Sequence, residues 1–192
     1  LDGKTTLLSA LSCRRYLTLI ELAKLTHQDK TKCRQNLLVL RSHGTISCRH
    51  FAGRDYFISR KKSKRTTLGQ QADTYLEGRS AAIEIGDART CYHHLAGKVG
   101  TQLFKNCLDK GWLTTDEGDY IMTIQGREAF QKLLRWPIKQ IKVKTCIDFS
   151  ERLPHLAGKL GTDVLKRLIA EGDVRLGKYR HVLIKKPLED WL

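Results

Sequence analysis

The chain has 192 residues, 41% of them hydrophobic and 29% charged, which is enough apolar material for one large domain or two small ones and is not a disordered composition. It carries 35 Lys and Arg against 20 Asp and Glu, a net charge of +15. No apolar run approaches the roughly 18 residues of a membrane span, and no signal peptide is visible.

The charge is uneven. Residues 1–65 hold 15 basic and 4 acidic residues, residues 66–90 hold 2 and 4, and residues 91–192 hold 18 and 12. A basic N-terminal third predicts a polyanionic partner, most simply nucleic acid. The six cysteines (13, 33, 48, 91, 107 and 146) are scattered with no CxxC or CxC, which fits reduced cytoplasmic thiols better than a disulfide framework.

In chain order, "GKTTLL" at Gly3–Leu8 looks like the end of a phosphate-binding loop, but the chain begins too late to show the upstream glycine and strand that such a loop requires. "LIELAKL" predicts a short helix with Leu22 and Leu25 on one side. "THQD" breaks it, and Asp29 suits the N-cap of a second helix, "KTKCRQNLLVLRS". Cys33, Leu37 and Leu40 recur at i, i+4, i+7 as the inner stripe of that helix. Lys30, Thr31, Lys32, Arg34, Gln35 and Asn36 lie off the stripe, and Gly44 stops the helix. Two helices joined by a short turn, the second with a basic and amide-rich outer face, predict a helix-turn-helix.

"TISCRHFAGRDYFISR" predicts a hairpin that turns at a glycine, with Ile46 and Cys48 alternating inward on one strand and Tyr56 and Ile58 on the other. After a helix-turn-helix such a hairpin is a wing. Arg49, Arg54, Arg60, Lys61 and Lys62, with Lys64 and Arg65 beyond them, are its candidate phosphate contacts. Thr66–Ile85 reads as one near-neutral helix with Leu68, Ala72, Tyr75, Leu76 and Ile83 at helical spacing; it links the halves, as a dimer helix or simply as a core helix.

"HLAGKVGT" at His94–Thr101 recurs as "HLAGKLGT" at His155–Thr162. Without gaps the match extends to "HLAGKVGTQLFKNCLDKGWL" and "HLAGKLGTDVLKRLIAEGDV", with inner stripes Leu95, Val99, Leu103, Cys107 and Leu156, Leu160, Val164, Leu168. Each copy predicts a helix that begins at the histidine, stops at Gly111 or Gly172 and is followed by a hairpin. The first hairpin leads into a short helix, "QGREAFQKLL". A repeated packing unit accounts for a repeated motif without an active site. The expected fold is mainly helical with small hairpins, α+β. A winged helix-turn-helix at 1–65 precedes a linker at 66–88 and tandem helix–hairpin, winged-helix-like units at 89–192 with a regulatory or dimerisation role.

"ELAKLTHQDKTKCRQNLLVLRSHGTI" and "GRDYFI" resemble the helix-turn-helix and wing of the arsenic-repressor (ArsR/SmtB) family of bacterial regulators, and "LDGKTTLLSAL" is similar to the helix that precedes them there. "RTCYHHLAGKVG" and "CIDFSERLPHLAGKLG" resemble a subgroup with a long C-terminal extension, in which Asp usually stands at the position of His93. The resemblance implies a homodimeric, cytoplasmic transcriptional repressor that binds double-stranded DNA. It makes GKTT the start of a helix. The family's metal sites often use a CxC in the helix-turn-helix or Asp/His clusters in the dimer helix. Neither is present: Cys33 stands alone, and Thr66–Ile85 has no His or Cys.

Cys33, Cys48 and Cys107 read as core thiols, Cys107 because its repeat partner is Leu168. Cys91 aligns with Arg152 and has no twin. It precedes His94 by three residues, so on a helix the two would share a face. Cys91, His94, Cys146 and His155 supply the donor types of a tetrahedral metal site, or the two thiols could form a redox pair. Their spacing matches no zinc signature, which favours cysteines at a packing seam and histidines at helix starts. No nucleophile sits on a strained turn and no enzyme is expected. The expected function is therefore sequence-specific DNA binding by an ArsR-type repressor whose inducer is unknown, possible inducers being a metal or a thiol oxidant. An architectural nucleic-acid-binding protein and a protein-interaction scaffold are the alternatives.

Overall fold

The computed structural model describes residues 2–84, 86–116 and 118–191. Two compact units meet between Ala82 and Ile83. The fold is α+β and winged-helix-like, with small antiparallel sheets among the helices. Among the described residues, no helix is long and apolar enough to cross a membrane.

The first unit opens with α1 (Gly3–Ala10), so GKTT does begin a helix. A short strand β1 (Leu17–Thr18) leads into α2 (Leu19–Thr26). Thr18 and Glu21 form a capping box, each side chain bonding to the other residue's backbone N–H, which sets the start of α2. His27 ends α2 in the left-handed region, and α3 (Lys30–Ser42) follows. Asp29 caps α3, accepting from the N–H groups of Thr31 at 2.8 Å and Lys32 at 3.3 Å. Cys33, Leu37 and Leu40 are buried in a core shared with Leu7, Leu11, Leu22 and Ile46. Gly44 leaves α3 with a φ of 65°, a conformation that costs glycine little.

The wing is β2 (Ile46–Phe51) and β3 (Arg54–Ser59), with β3 in the centre of a sheet ordered β1-β3-β2. Ala52 and Gly53 both have positive φ, so a two-residue turn pairs Phe51 with Arg54. That register divides the expected inward set between two faces, although Ile46 and Tyr56 are both buried. Cys48 pairs with Phe57 and Arg49 with Tyr56, so Ile46 and Cys48 share a face with Phe57, while Tyr56 and Ile58 lie on the other. Alternation along each strand was right; the turn decides how the two alternations combine.

The single helix expected over Thr66–Ile85 is two. Helix α4 (Thr67–Glu77) stops at Gly78, and α5 (Ser80–Glu84) is a short segment beyond it. Ile85 lies outside the described residues. Helix α4 is a core helix, one of the two readings its sequence left open: Ala72 and Leu76 are in the first core. Its start is fixed by Thr66, whose N–H donates to Ser12 Oγ and whose hydroxyl donates to the Ser9 carbonyl. Arg15 and Arg65 both pair with Asp73 farther along the helix. Ile83, expected inside, is exposed.

The second unit contains the repeat. The first copy runs β4 (Arg89–Cys91), β5 (His94–Ala96), α6 (Gly97–Asp109), β6 (Leu113–Asp116), β7 (Asp119–Met122) and α7 (Ile124–Leu134). Glu117, at the β6–β7 turn, lies outside the described residues. A strand that sequence reading missed, β8 (Lys142–Val143), pairs with β7. The second copy runs β9 (Thr145–Ile147), β10 (Pro154–Leu156), α8 (Gly158–Ala170), β11 (Val174–Leu176) and β12 (Val182–Ile184).

The histidines therefore sit in strands, not at helix starts, and each helix begins at the glycine of HLAG. The copies interlock: β10 packs on α6 and β5 on α8. A Cβ at Gly100 would lie 2.4 Å from the Leu95 carbonyl oxygen, and one at Gly161 would lie 2.6 Å from that of Leu156. The second glycine of each motif thus lets the histidine strand fold back onto its own helix. The stripes Leu95, Leu103, Cys107 and Leu156, Leu160, Val164, Leu168 merge into one core, with Val99 at its margin.

Candidate nucleic-acid interface and cysteine–histidine cluster

Helix α3 presents Lys30, Thr31, Lys32, Arg34 and Gln35 to solvent. Asn36 differs. Its amide donates to Gln28 Oε1 at 3.1 Å, and Gln28 in turn donates to the Gly3 carbonyl at 3.0 Å. That chain ties α3 to the start of α1 and turns Asn36 away from the outer face. Leu38 is 59% exposed, three to four residues beyond Arg34 and Gln35 on the same face. Sequence reading missed it, although its position off the Cys33–Leu37–Leu40 stripe was a usable signal.

On the wing, Arg54 is exposed beside the turn. Arg49 is partly engaged: it hydrogen-bonds to Tyr16 and lies 5.9 Å from the Phe51 ring centre. Arg60 Nε donates to Ser47 Oγ at 3.3 Å, and the side chains of Lys61 and Lys62 are exposed. Arg65 is held by Asp73, so this member of the basic run braces α4. Histidine and acid also meet at the wing tip, where His50 Nδ1 lies 2.8 Å from Asp55 Oδ1.

In the second unit Cys91 pairs directly with His94 across β4–β5, and Cys146 pairs with His155 across β9–β10. Arg89 and Thr90 precede Cys91, as Lys144 and Thr145 precede Cys146. Cys91 and Cys146 are thus twins. The gapless alignment that set Cys91 against Arg152 is corrected: the second hairpin has eight residues between Cys and His where the first has two.

The four side chains gather at the seam between the two hairpins. The ligand atoms of Cys91, Cys146 and His155 all lie within 4.8 Å of one another, and the His94 and His155 ring centres are 6.2 Å apart. His155 is fully buried. Its Nδ1 is 3.0 Å from the Leu156 carbonyl oxygen, which can only accept, so Nδ1 carries the proton. His155 Nε2 is buried with no hydrogen-bond partner of regular geometry, and so is His94 Nδ1. The Cys91 thiol is pulled down to about 4, first by Cys146 and then by His155, against the opposing effect of burial. Burial, then the nearby His155, pushes His94 down. Burial instead raises Cys33 to about 11 and Cys107 to about 12, as expected of inert core thiols. None of the six cysteines is in a disulfide.

The extra residues of the second hairpin carry a buried ion pair that sequence reading missed. Arg89 donates to both oxygens of Asp148, at 2.7 and 2.9 Å.

The chain is similar to a curated relative, the uncharacterized HTH-type transcriptional regulator YdfF of Bacillus subtilis (strain 168), 36% identical over 103 residues, which are 50% of this chain and 46% of the relative. The chain thus matches about half the length of that protein. No protein-family model matches the chain, and neither does any solved structure.

Proposed function

We propose that the chain is a sequence-specific DNA-binding transcriptional regulator. The observation that carries this reading is the outer face of α3, where Lys30, Thr31, Arg34 and Gln35 stand exposed on a helix whose first turn is fixed by Asp29. A helix held in this way after a short turn can enter the major groove, with its N-terminal residues at base edges. Gln35 suits the N6/N7 edge of adenine and Arg34 suits guanine. Leu38 adds an apolar group that suits a thymine methyl. Arg54, Lys61 and Lys62 hold phosphates along the wing, and the charge of the first 65 residues supplies the long-range attraction.

The relative's name, HTH-type transcriptional regulator, supports the same reading. The resemblance to arsenic-repressor regulators adds the finer proposal of a homodimeric repressor on a two-fold symmetric operator. Genomic footprinting tests this. A small number of discrete, near-palindromic protected sites is expected. Uniform coating of DNA would instead favour an architectural role, and no binding to duplex DNA at low salt would overturn the reading.

A further inference from the structure

We propose that Cys91, His94, Cys146 and His155 form a closed four-ligand site for a divalent cation of the zinc class, joining the two hairpins of the repeat. Each hairpin contributes one cross-strand Cys–His pair, so the set is Cys2His2 and pseudo-symmetric. Around a tetrahedral zinc ion, neighbouring sulfur and nitrogen ligands are about 3.5–3.8 Å apart. The ligand atoms of Cys91, Cys146 and His155 already lie within 4.8 Å of one another, so an ion has to draw them in by about 1 Å. His94 approaches from the opposite hairpin. Its ring centre is 6.2 Å from that of His155, and two imidazoles on one tetrahedral ion place theirs about 5 Å apart.

The histidines are prepared as ligands. A metal-bound imidazole ordinarily donates its other N–H to a carbonyl or carboxylate, which fixes the ring and the tautomer. His155 has that arrangement, with Nδ1–H on the Leu156 carbonyl and Nε2 buried with no hydrogen-bond partner of regular geometry. Leaving such a nitrogen without a partner is costly, and a metal ion would satisfy it. Gly161 keeps the space beside the cluster open, since a Cβ there would lie 3.2 Å from His94 Cδ2. No carboxylate belongs to the set. Two thiolates and two imidazoles select zinc-like ions over magnesium or calcium, which require oxygen ligands. With all four positions filled by protein there is no open site, so the ion's role is to hold the hairpins rather than to activate water.

The test uses the full chain. Purified protein is expected to hold one zinc per chain. Titration of chelator-treated protein with cobalt(II) is expected to give intense visible bands of a tetrahedral ion, with thiolate-to-cobalt charge transfer, saturating at one equivalent. Cys146→Ser and His155→Gln should each weaken cobalt binding by more than about 100-fold, beyond the loss typical of a mere supporting partner. Cys48→Ser, in the other unit, should leave the spectrum unchanged. The cobalt spectrum of the unaltered chain decides the matter even if a variant fails to fold. A weak octahedral spectrum, no uptake, or the same spectrum from Cys146→Ser would overturn the site.

Discussion

Arg89 Nη2 donates to both oxygens of Asp148 across the repeat, with both side chains almost fully buried. The same carboxylate accepts from the Gly97 N–H at 2.7 Å, at the first turn of α6, and from the N–H groups of Ser150 and Glu151 at 2.9 Å. One acid from the second hairpin therefore neutralises a buried base on the first and caps its helix. This pair breaks the symmetry of the two copies, and the longer second hairpin exists in part to deliver it.

Removing one partner leaves the other charged and buried. Asp148→Ala and Arg89→Ala should each cost about 3–5 kcal/mol in urea unfolding, and the double variant should cost less than their sum. Strict additivity would mean that the two side chains act independently.

Burial would raise the pKa of Asp148, but Arg89 and the surrounding donors outweigh it and leave the group below the usual carboxylate range. A depressed pKa contributes stability above the unfolded value, near 3.9, and that stability is lost as pH falls through the folded value. The second unit should therefore lose stability steeply only below about pH 4, and Asp148→Asn should flatten that acid limb in equilibrium unfolding. An unchanged limb would place the titration elsewhere.

Glycine substitutions should separate close approach from conformation. Gly161→Ala brings a Cβ to 2.6 Å from the Leu156 carbonyl oxygen and should destabilise by about 1–3 kcal/mol, although alanine is the better helix former. Gly172→Ala meets nothing within 4 Å and should cost only the strain of a positive φ, about 1 kcal/mol. Thermal unfolding of the two variants measures the difference.

Much of the fold was legible because local signals agreed. Asp29, the Cys33–Leu37–Leu40 stripe and Gly44 fix α3 without help from the rest of the chain. The wing was legible as a hairpin, but its inner face was not, because the Ala52–Gly53 turn sets how the two alternations combine. The cluster was legible as four residue types and illegible as a place. A gapless reading hid the equivalence of Cys91 and Cys146, since the extra loop falls between Cys146 and His155 and not within the helix that made the repeat visible. Arg89 and Asp148 were unreadable, because a buried pair 59 residues apart leaves no periodic trace.

Thiol chemistry follows the same division. In chelator-treated native protein, Cys91 should alkylate readily at pH 6, where a thiol pulled down to about 4 is a thiolate. Cys33 and Cys107, raised to about 11 and about 12 and buried, should react only after unfolding. Site-resolved mass spectrometry reads all three. Equal rates would contradict the placement of Cys91.

Asn36 and Gln35 are sequence neighbours with opposite expected roles. Asn36→Ala removes the hydrogen bond to Gln28 and should lower stability by about 1 kcal/mol while leaving sequence preference intact. Circular dichroism melts and competition binding separate the two effects. A change of preference with no loss of stability would return Asn36 to the outer face.

Fluorescence anisotropy of the full chain on a footprinted site and on random duplex, across a salt series, tests the central claim most directly. Gln35→Ala should cost about 1–3 kcal/mol on the specific site alone, whereas Arg54→Ala should weaken both duplexes and reduce the salt slope by about 1. Equal losses on specific and random DNA for both variants would contradict the assignment of α3 as the element that reads sequence.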